Sequence, residues 1–364
     1  MKIEDLLRKE VKLLKPYLPS KSIEDVRKSL GLPDVVNLSS NESALGPSDV
    51  VKEALQAELK NIHRYPDSSS RQLREDLACQ YGINTDMLIT TNGGDELLYL
   101  LGSCFISPGD ELIMGEYGFA TYQSVAELSG GSIITVPLND GRLDLEDMVG
   151  KVTEKTKIIF LCNPHNPNGT IFTHHQLEQF LTKIPIHPII VLDEAYSDFV
   201  ESNDFPDSIK LIRENNHHII TLRTFSKIGG MAGLRIGFGI AKKELINCLK
   251  KIQPPYSVNR LAQVAARAFL TDVDYRKRLL QNNLWGKEFL YRQFNRLSLS
   301  YIPSEANFIF VDLKKEADLM CEKLIEDGII VRSGKIWGCN TYIRVTIGSE
   351  QQNQQFIRAL EKIL

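Results

Sequence analysis

Four short segments carry side chains whose chemistry and spacing suggest one shared site. They are Asn-Gly-Gly-Asp-Glu at 92–96, Asn-Pro-His-Asn-Pro-Asn-Gly at 163–169, Asp-Glu-Ala-Tyr at 193–196 and Thr-Phe-Ser-Lys at 224–227. Each follows a short apolar run, and ligands of open parallel sheets bind beyond the carboxyl ends of the strands. A lysine can act as nucleophile or base, and glycine-rich turns before helices bind anions. The pattern predicts a catalytic site at one edge of a sheet.

Each segment also has an ordinary structural explanation. Asn-Gly and Pro-Asn-Gly are common turn sequences, and Asp95 and Glu96 suit the first turn of a helix. Asp193 could cap a helix, and Lys227 could be a surface lysine. The four segments occur in this order, with Arg235 eight residues after Lys227. We interpret that combination as functional.

The elements that must position these segments alternate between apolar runs and amphipathic stretches. We predict strands at 87–91, 133–136, 158–163, 189–193 and 219–224. The last three begin about thirty residues apart, the length of a βαβ unit, and runs that are apolar on both faces indicate a parallel sheet covered by helices. Thr173 and Ser349 each begin a capping box before a helix. After about residue 280, a long helix and strands at 307–313, 329–331 and 342–347 indicate a smaller α+β domain.

The chain is therefore predicted to be an α/β protein in three parts. Residues 1–44 form an N-terminal arm that contributes to the small domain and to a dimer. In the arm, we expect a short amphipathic helix, a proline-containing stretch at 15–19 and a second helix. Residues 45–255 form the large domain and 256–364 the small C-terminal domain.

Composition narrows the class of protein. Of 364 residues, 43 are Lys or Arg and 46 are Asp or Glu, giving a net charge of −3 without long runs of one sign. Nothing in this balance suggests a nucleic-acid or membrane surface. No segment approaches the roughly twenty apolar residues of a membrane span. The 6 cysteines include no C-x-x-C pair, so we expect free thiols and a cytoplasmic protein.

The ordered motifs resemble the fold-type I aminotransferase family nearly from end to end. The resemblance implies pyridoxal 5'-phosphate as cofactor, with Lys227 holding it as a Schiff base. Such a lysine must be placed rigidly and partly desolvated. A carboxylate beside the pyridine nitrogen, matched by Asp193, would keep the ring an electron sink. The family pattern also implies that Asn166 and Tyr196 bind the ring hydroxyl and that Phe119 stacks on the ring.

The same resemblance implies a site for the cofactor phosphate, which needs a helix N-terminus, hydroxyls and a cation. The predicted phosphate ligands are Gly94, Asp95, Glu96, Thr224, Ser226 and Arg235. Tyr65 would reach the phosphate of the neighbouring subunit, which implies a homodimer with shared active sites. No metal ligand set is predicted.

Other segments resemble the histidinol-phosphate aminotransferase subfamily. They are Lys-Pro-Tyr at 15–17, residues 41–48, 255–259, 303–308 and 343–348. The pattern departs at 43–44, 117–118, Gly94 and Asn168, none of which removes a cofactor ligand. This resemblance implies histidinol phosphate and the glutamate/2-oxoglutarate pair as substrates.

One cationic cluster could bind glutamate's carboxylate in one half-reaction and the substrate phosphate in the other. The candidate substrate ligands are Tyr17, Asn41, Arg332 and Arg344. Arg332 could instead be a solvated arginine, and Tyr17 a packing tyrosine. If Tyr17 binds substrate, we expect it to close over the imidazole end.

Several alternative functions stay open or fail on the sequence. An aromatic amino-acid aminotransferase and a phosphothreonine decarboxylase share the motifs and would use Lys227 similarly. An effector sensor fused to a DNA-binding module is disfavoured by the negative charge. A nicotinamide dehydrogenase lacks the G-x-G-x-x-G turn after a strand. The adjacent histidine pairs at 174–175 and 217–218 lack the spacing of metal ligands.

Overall fold

The computed structural model describes residues 2–14, 21–32 and 34–364, and its largest element is a seven-stranded sheet. Across the sheet the strands are Leu88–Thr91, Gly237–Ala241, His218–Thr224, Ile189–Asp193, Thr156–Cys162, Glu111–Gly115 and Ser132–Val136. Only Gly237–Ala241 runs antiparallel to its neighbours. The predicted mostly parallel sheet is confirmed.

Helices cover both faces of this sheet because its central strands are apolar on both sides. Every residue of Ile189–Asp193 is buried. On one face pack Gly93–Phe105, Ala120–Ser129 and Lys243–Lys250. On the other face pack Arg71–Tyr81, His174–Lys183, Ser208–Glu214 and Arg260–Thr271. Asp49–Glu58, Leu145–Lys151 and the hairpin of Leu138–Asn139 with Arg142–Leu143 complete this region.

A separate antiparallel sheet forms the core of the C-terminal region. Its strands, in order, are Ser300–Ile302, Phe308–Asp312, Tyr342–Thr346 and Arg332–Ser333. The helices of this region are Val273–Arg296, Ala317–Glu326 and Glu350–Ile363. The short strands Val36–Asn37 and Ile329–Ile330 pair in parallel, so a segment near the N-terminus joins the C-terminal region.

The local predictions are mostly confirmed. Both capping boxes are present, at Thr173 before His174–Lys183 and at Ser349 before Glu350–Ile363. The helix Ile23–Leu30 in the predicted arm is also present. No helix in the described parts of the chain is long and apolar enough to cross a membrane.

Two local expectations were wrong or incomplete. The first predicted helix is replaced by the 3-10 turns Ile3–Leu6 and Val11–Leu13, whose described side chains are mostly exposed. The strands Glu111–Gly115 and Gly237–Ala241 were not among the predicted runs. Gly237 and Gly239 interrupt the apolar pattern that would have predicted the second strand. Glycine is needed at both positions because a Cβ would lie too close to neighbouring backbone or side-chain atoms.

Candidate active site

The strand ends that carry the four motifs lie side by side. In the parallel pairing, Cys162 is opposite Asp193 and Asp193 is opposite Leu222. On the other side, Gly237 pairs with both Thr224 and Thr91. The residues that follow these strands therefore meet at one edge of the sheet, as the sequence predicted.

A cavity of about 270 Å³ opens at this edge. Ten of the predicted site residues line it: Gly94, Asp95, Phe119, Asn166, Asp193, Tyr196, Thr224, Ser226, Lys227 and Arg235. These ten residues contribute a primary amine, two carboxylates, hydroxyls, an amide and a guanidinium, and Glu42 adds a third carboxylate to the lining. Such a concave surface with convergent polar groups is typical of a small-molecule site.

Lys227 lies at the centre of these groups. Its Nζ donates a hydrogen bond of 2.8 Å to the carbonyl oxygen of Ser40 and lies 5.7 Å from the centre of the Tyr196 ring. Burial, helped by the positive charge of Arg344, lowers the pKa of the Lys227 amine to about 8. A substantial neutral fraction is therefore present near pH 7 to 8, and only the neutral amine is a nucleophile or base.

Asp193 is a buried carboxylate at the floor of the cavity. One oxygen accepts a hydrogen bond of 2.5 Å from the Tyr122 hydroxyl, and the other accepts one from the backbone N–H of Ala195 at 3.2 Å. Burial raises the pKa of Asp193, although both hydrogen bonds oppose that shift. A cationic group in the cavity would stabilise the carboxylate, because charge at a buried site otherwise goes uncompensated.

An anion cup lies at the N-terminus of the helix Gly93–Phe105. Arg235 Nη2 lies 3.3 Å from Asp95 Oδ2, and the Thr224 and Ser226 hydroxyls are 2.9 Å apart. Gly93 has a φ of +78°, and a Cβ there would collide with the Arg235 guanidinium. Backbone N–H groups, two hydroxyls and a guanidinium in one place suit a phosphate.

A second cavity, of about 240 Å³, adjoins the first and shares Lys227, Tyr196, Asn166 and Phe119 with it. The predicted substrate ligands Asn41, Arg332 and Arg344 line this cavity. Arg332 and Arg344 are directly opposite each other on neighbouring antiparallel strands. Two guanidinium groups beside one cavity give it a positive lining, which suits an anionic substrate group.

Hydrogen bonds join the two cavities. Arg344 donates from Nη1 to Asn166 Oδ1 and from Nη2 to the carbonyl oxygen of Ser39. Asn41 Nδ2 donates to the Tyr196 hydroxyl at 3.0 Å. Burial raises the pKa of Tyr196 to about 12, so this hydroxyl stays protonated at neutral pH.

Two predicted residues do not line these cavities, and a third cannot be placed. The Glu96 carboxylate turns back to accept a hydrogen bond from the backbone N–H of Asn92 at 2.5 Å. Tyr65 is 77% exposed and stacks on Tyr256, with ring centres 4.7 Å apart. Tyr17 lies outside the described residues.

The structure adds site residues that the sequence did not single out. Tyr122 binds Asp193 and stacks on Phe160 at 4.3 Å. Its position one helical turn after Phe119 was the available signal. Trp337 lines the second cavity. The sequence marks it only by the rarity of tryptophan, since the chain has 2. The Ser40 carbonyl oxygen that binds Lys227 had no signal, because any residue carries one.

The fold and this arrangement of lysine, carboxylate and anion cup define a class of enzyme. Residues 33–360 match the family model for class I and II aminotransferases, and the chain belongs to this family.

Within this family, the chain is similar in sequence and structure to several histidinol-phosphate aminotransferases. The chain is 44% identical over 357 residues to the histidinol-phosphate aminotransferase of Moorella thermoacetica, covering 98% of this chain and 92% of that protein. It is 41% identical to histidinol-phosphate aminotransferase 2 of Carboxydothermus hydrogenoformans, covering 99% of each chain. The crystal structure of histidinol-phosphate aminotransferase from Sinorhizobium meliloti, in complex with pyridoxal-5'-phosphate, superposes with a TM-score of 0.90 at 26% identity and covers 98% of each chain.

Proposed function

We propose that this aminotransferase uses pyridoxal 5'-phosphate to exchange amino groups between histidinol phosphate and the glutamate/2-oxoglutarate pair, a step of histidine biosynthesis. The observation that carries the substrate assignment is the pairing of Arg332 with Arg344 beside Lys227 in one cavity. The full-length similarity to histidinol-phosphate aminotransferases supports it.

The residues present fit the cofactor. Asp193 is a buried carboxylate whose raised pKa reflects uncompensated burial, and a protonated ring nitrogen would supply the missing positive charge. The anion cup around Arg235 suits the phosphate, and the Lys227 amine suits covalent attachment. Phe119 would cover one face of the ring, and Asn166 would bind its hydroxyl together with Tyr196. When bound, the cofactor supplies an electron sink for the substrate's amino-bearing carbon.

This chain's residues would divide the remaining work. Lys227, released from the cofactor by the incoming amine, would take the proton from the amino-bearing carbon. Its lowered pKa suits that role, because general bases work best near the operating pH. Asp193, oriented by Tyr122, would hold the ring nitrogen's proton. Arg344, held by Asn166 and by the carbonyl oxygen of Ser39, would orient the substrate's anionic group.

Two arginines suit two different substrates. Glutamate presents a carboxylate at its amino carbon, whereas histidinol phosphate presents a phosphate ester on that side. A guanidinium binds either group through paired charge-assisted hydrogen bonds. A phosphate dianion would gain more from a second guanidinium than a carboxylate does.

The phosphate is therefore expected to dominate substrate recognition. Removing it, by offering histidinol in place of histidinol phosphate, should lower kcat/KM by roughly ten- to a hundredfold or more, since charge-assisted hydrogen bonds contribute about 1.5–3 kcal/mol each. Arg332→Ala should penalise histidinol phosphate more than glutamate, whereas Arg344→Ala should impair both. Steady-state kinetics with each substrate measure these effects.

Two related enzyme classes would give different results in the same assays. An aromatic amino-acid aminotransferase would use phenylalanine as well as histidinol phosphate. A phosphothreonine decarboxylase would release carbon dioxide from phosphothreonine. If histidinol and histidinol phosphate differ by less than about threefold in kcat/KM, under one kcal/mol of discrimination, the proposed substrate is wrong.

We further propose a homodimer in which Tyr65 completes the partner's phosphate site. The support is an exposed aromatic pair, Tyr65 and Tyr256, together with Leu59 and Ile62, which are exposed a few residues before Tyr65 in the chain. Large exposed apolar side chains in one area are typical of an interface. A cytoplasmic location is part of the proposal, and the 6 cysteines, all free, support it.

Shared sites predict recovery of activity from two inactive variants. In a heterodimer of Tyr65→Ala and Lys227→Ala subunits, one site carries both lesions and the other carries neither. Random exchange should restore about a quarter of wild-type activity, given one intact site in each heterodimer of a two-fold symmetric pair. Activity after co-refolding, or after exchange at low concentration, measures the recovery.

A second mixture provides the control. Asp193 and Lys227 line the same chain's cavity, so mixing Asp193→Asn with Lys227→Ala cannot create an intact site. Recovery in both mixtures would argue against sharing. A fully active monomer in sedimentation measurements would exclude the dimer.

A further inference from the structure

Trp337 contacts the arginine on which the proposed substrate recognition depends. The Arg344 guanidinium carbon lies over two rings, 5.3 Å from the centre of the Trp337 ring and 5.4 Å from that of Phe308. Trp337 also packs edge-on against Phe310, with ring centres 6.0 Å apart. Phe308 and Phe310 lie on the strand next to that of Arg344. The guanidinium thus rests on an aromatic surface built by two segments of the chain.

The turn that carries Trp337 is tightly constructed. Gly338 closes the turn Gly334–Trp337 with a φ of +79°, and a Cβ on Gly334 would lie 2.6 Å from the carbonyl oxygen of Tyr342. The backbone N–H of Cys339, two residues after Trp337, donates to the carbonyl oxygen of Gly334 at 3.0 Å, and the Cys339 thiol donates to the carbonyl oxygen of Trp337 at 3.9 Å. The backbone that carries Trp337 is therefore held by close packing and by hydrogen bonds within the turn.

We infer that Trp337 is a positioning residue for anion binding, because its ring fixes the plane of the Arg344 guanidinium toward the cavity. An arginine stacked on an aromatic face directs its N–H donors sideways, edge-on to an oxyanion that lies in the guanidinium plane. Hydrogen bonds to Asn166 and to the carbonyl oxygen of Ser39 fix the remaining rotation. The inference rests on the proposed function only in taking Arg344 as the ligand of the substrate's anion.

Kinetics separate positioning from a purely structural role. Trp337→Ala should raise KM for glutamate and for histidinol phosphate about tenfold, the size expected for a partly desolvated cation–π contact. The value of kcat should change much less, because Lys227 and Asp193 are untouched. Trp337→Phe keeps an aromatic face and should return KM to within about threefold of wild type. If Trp337 were only structural, its loss would not raise KM selectively over kcat, and Trp337→Phe would not restore KM.

Fluorescence tests the inference without depending on activity, and its principal variant leaves Trp337 in place. The chain has 2 tryptophans, and Trp285, 64% exposed, lies on the helix Val273–Arg296. In a Trp285→Phe holoenzyme, Trp337 is the only tryptophan. Inorganic phosphate should change its emission saturably, and Arg344→Gln should weaken that response at least tenfold. In the matched Trp337→Phe holoenzyme, the emission of Trp285 should not respond.

The outcomes distinguish this inference from the proposed function. The inference is overturned if phosphate leaves Trp337 emission unchanged, or if Trp337→Ala keeps wild-type KM while Arg344→Gln loses binding. The second result would leave the proposed function intact. If phosphate shifts Trp337 emission through Arg344 but histidinol phosphate is not a substrate, the positioning role stands and the proposed function fails.

Discussion

Lys227→Ala is expected to abolish transamination while the protein still binds its cofactor noncovalently. Loss of a general base alone costs ~10²–10⁴-fold in rate, and loss of covalent anchoring adds to it. The anion cup around Arg235 and the carboxylate of Asp193 are unchanged in this variant, so cofactor should still be retained. Turnover is measured with glutamate and histidinol phosphate, and cofactor content by absorbance after gel filtration.

Lys243→Ala is the matched control. Lys243 is an exposed lysine that pairs with Asp86 at 3.4 Å, away from both cavities. Its replacement should leave kcat within about twofold of wild type, as is usual for a surface side chain. If Lys227→Ala retained near-normal turnover, the assignment of Lys227 as anchor and base would be wrong.

Asp193→Asn is the second change with a large expected effect. The amide keeps the size of the carboxylate and can still accept the hydrogen bond from Tyr122, but it carries no charge to hold a proton on the ring nitrogen. The expected loss in kcat is on the order of a hundredfold or more, as for removal of other charge-stabilising groups from buried sites. Cofactor occupancy should fall much less than kcat, because the phosphate and Lys227 provide other attachments.

The neighbouring carboxylate provides a strict comparison. Glu194 is also buried, but its carboxylate does not line the cavity. It forms an ion pair with Arg223 at 2.7 Å. Glu194→Gln should lower the free energy of unfolding by a few kcal/mol, because it leaves the guanidinium of Arg223 less well compensated. The kcat of the folded fraction should stay close to wild type. Equal turnover by Asp193→Asn and wild type would make the Asp193 carboxylate structural.

Tyr122→Phe isolates the hydrogen bond from the charge. It leaves Asp193 ionisable and removes only the donor at 2.5 Å. Its effect on kcat should be smaller than that of Asp193→Asn, because the carboxylate keeps the negative charge that would hold the proton on the ring nitrogen. The expected result is therefore that kcat decreases in the order wild type, Tyr122→Phe, Asp193→Asn.

The sequence by itself determined the features that depend on neighbouring residues. Capping boxes at Thr173 and Ser349 are confirmed because their side chains bond to backbone only three residues away. The central strands were readable because burial on both faces selects continuous apolar runs. The rule that ligands bind at strand ends then placed Asp193 and Lys227 at one edge, where the structure has them.

Only the tertiary structure decided which distant segments meet. Arg344 binds the carbonyl oxygen of Ser39 across a separation of 305 residues and Asn166 across 178. Trp337 contacts Arg344 from the turn Gly334–Trp337, and no periodic pattern in the sequence marks this turn. Periodicity specifies which face of an element is buried, but it does not specify which other element covers that face. The lysine and carboxylate were therefore readable from their motifs, whereas the aromatic surface around Arg344 emerged only when a neighbouring strand and the turn Gly334–Trp337 were brought together in the C-terminal region.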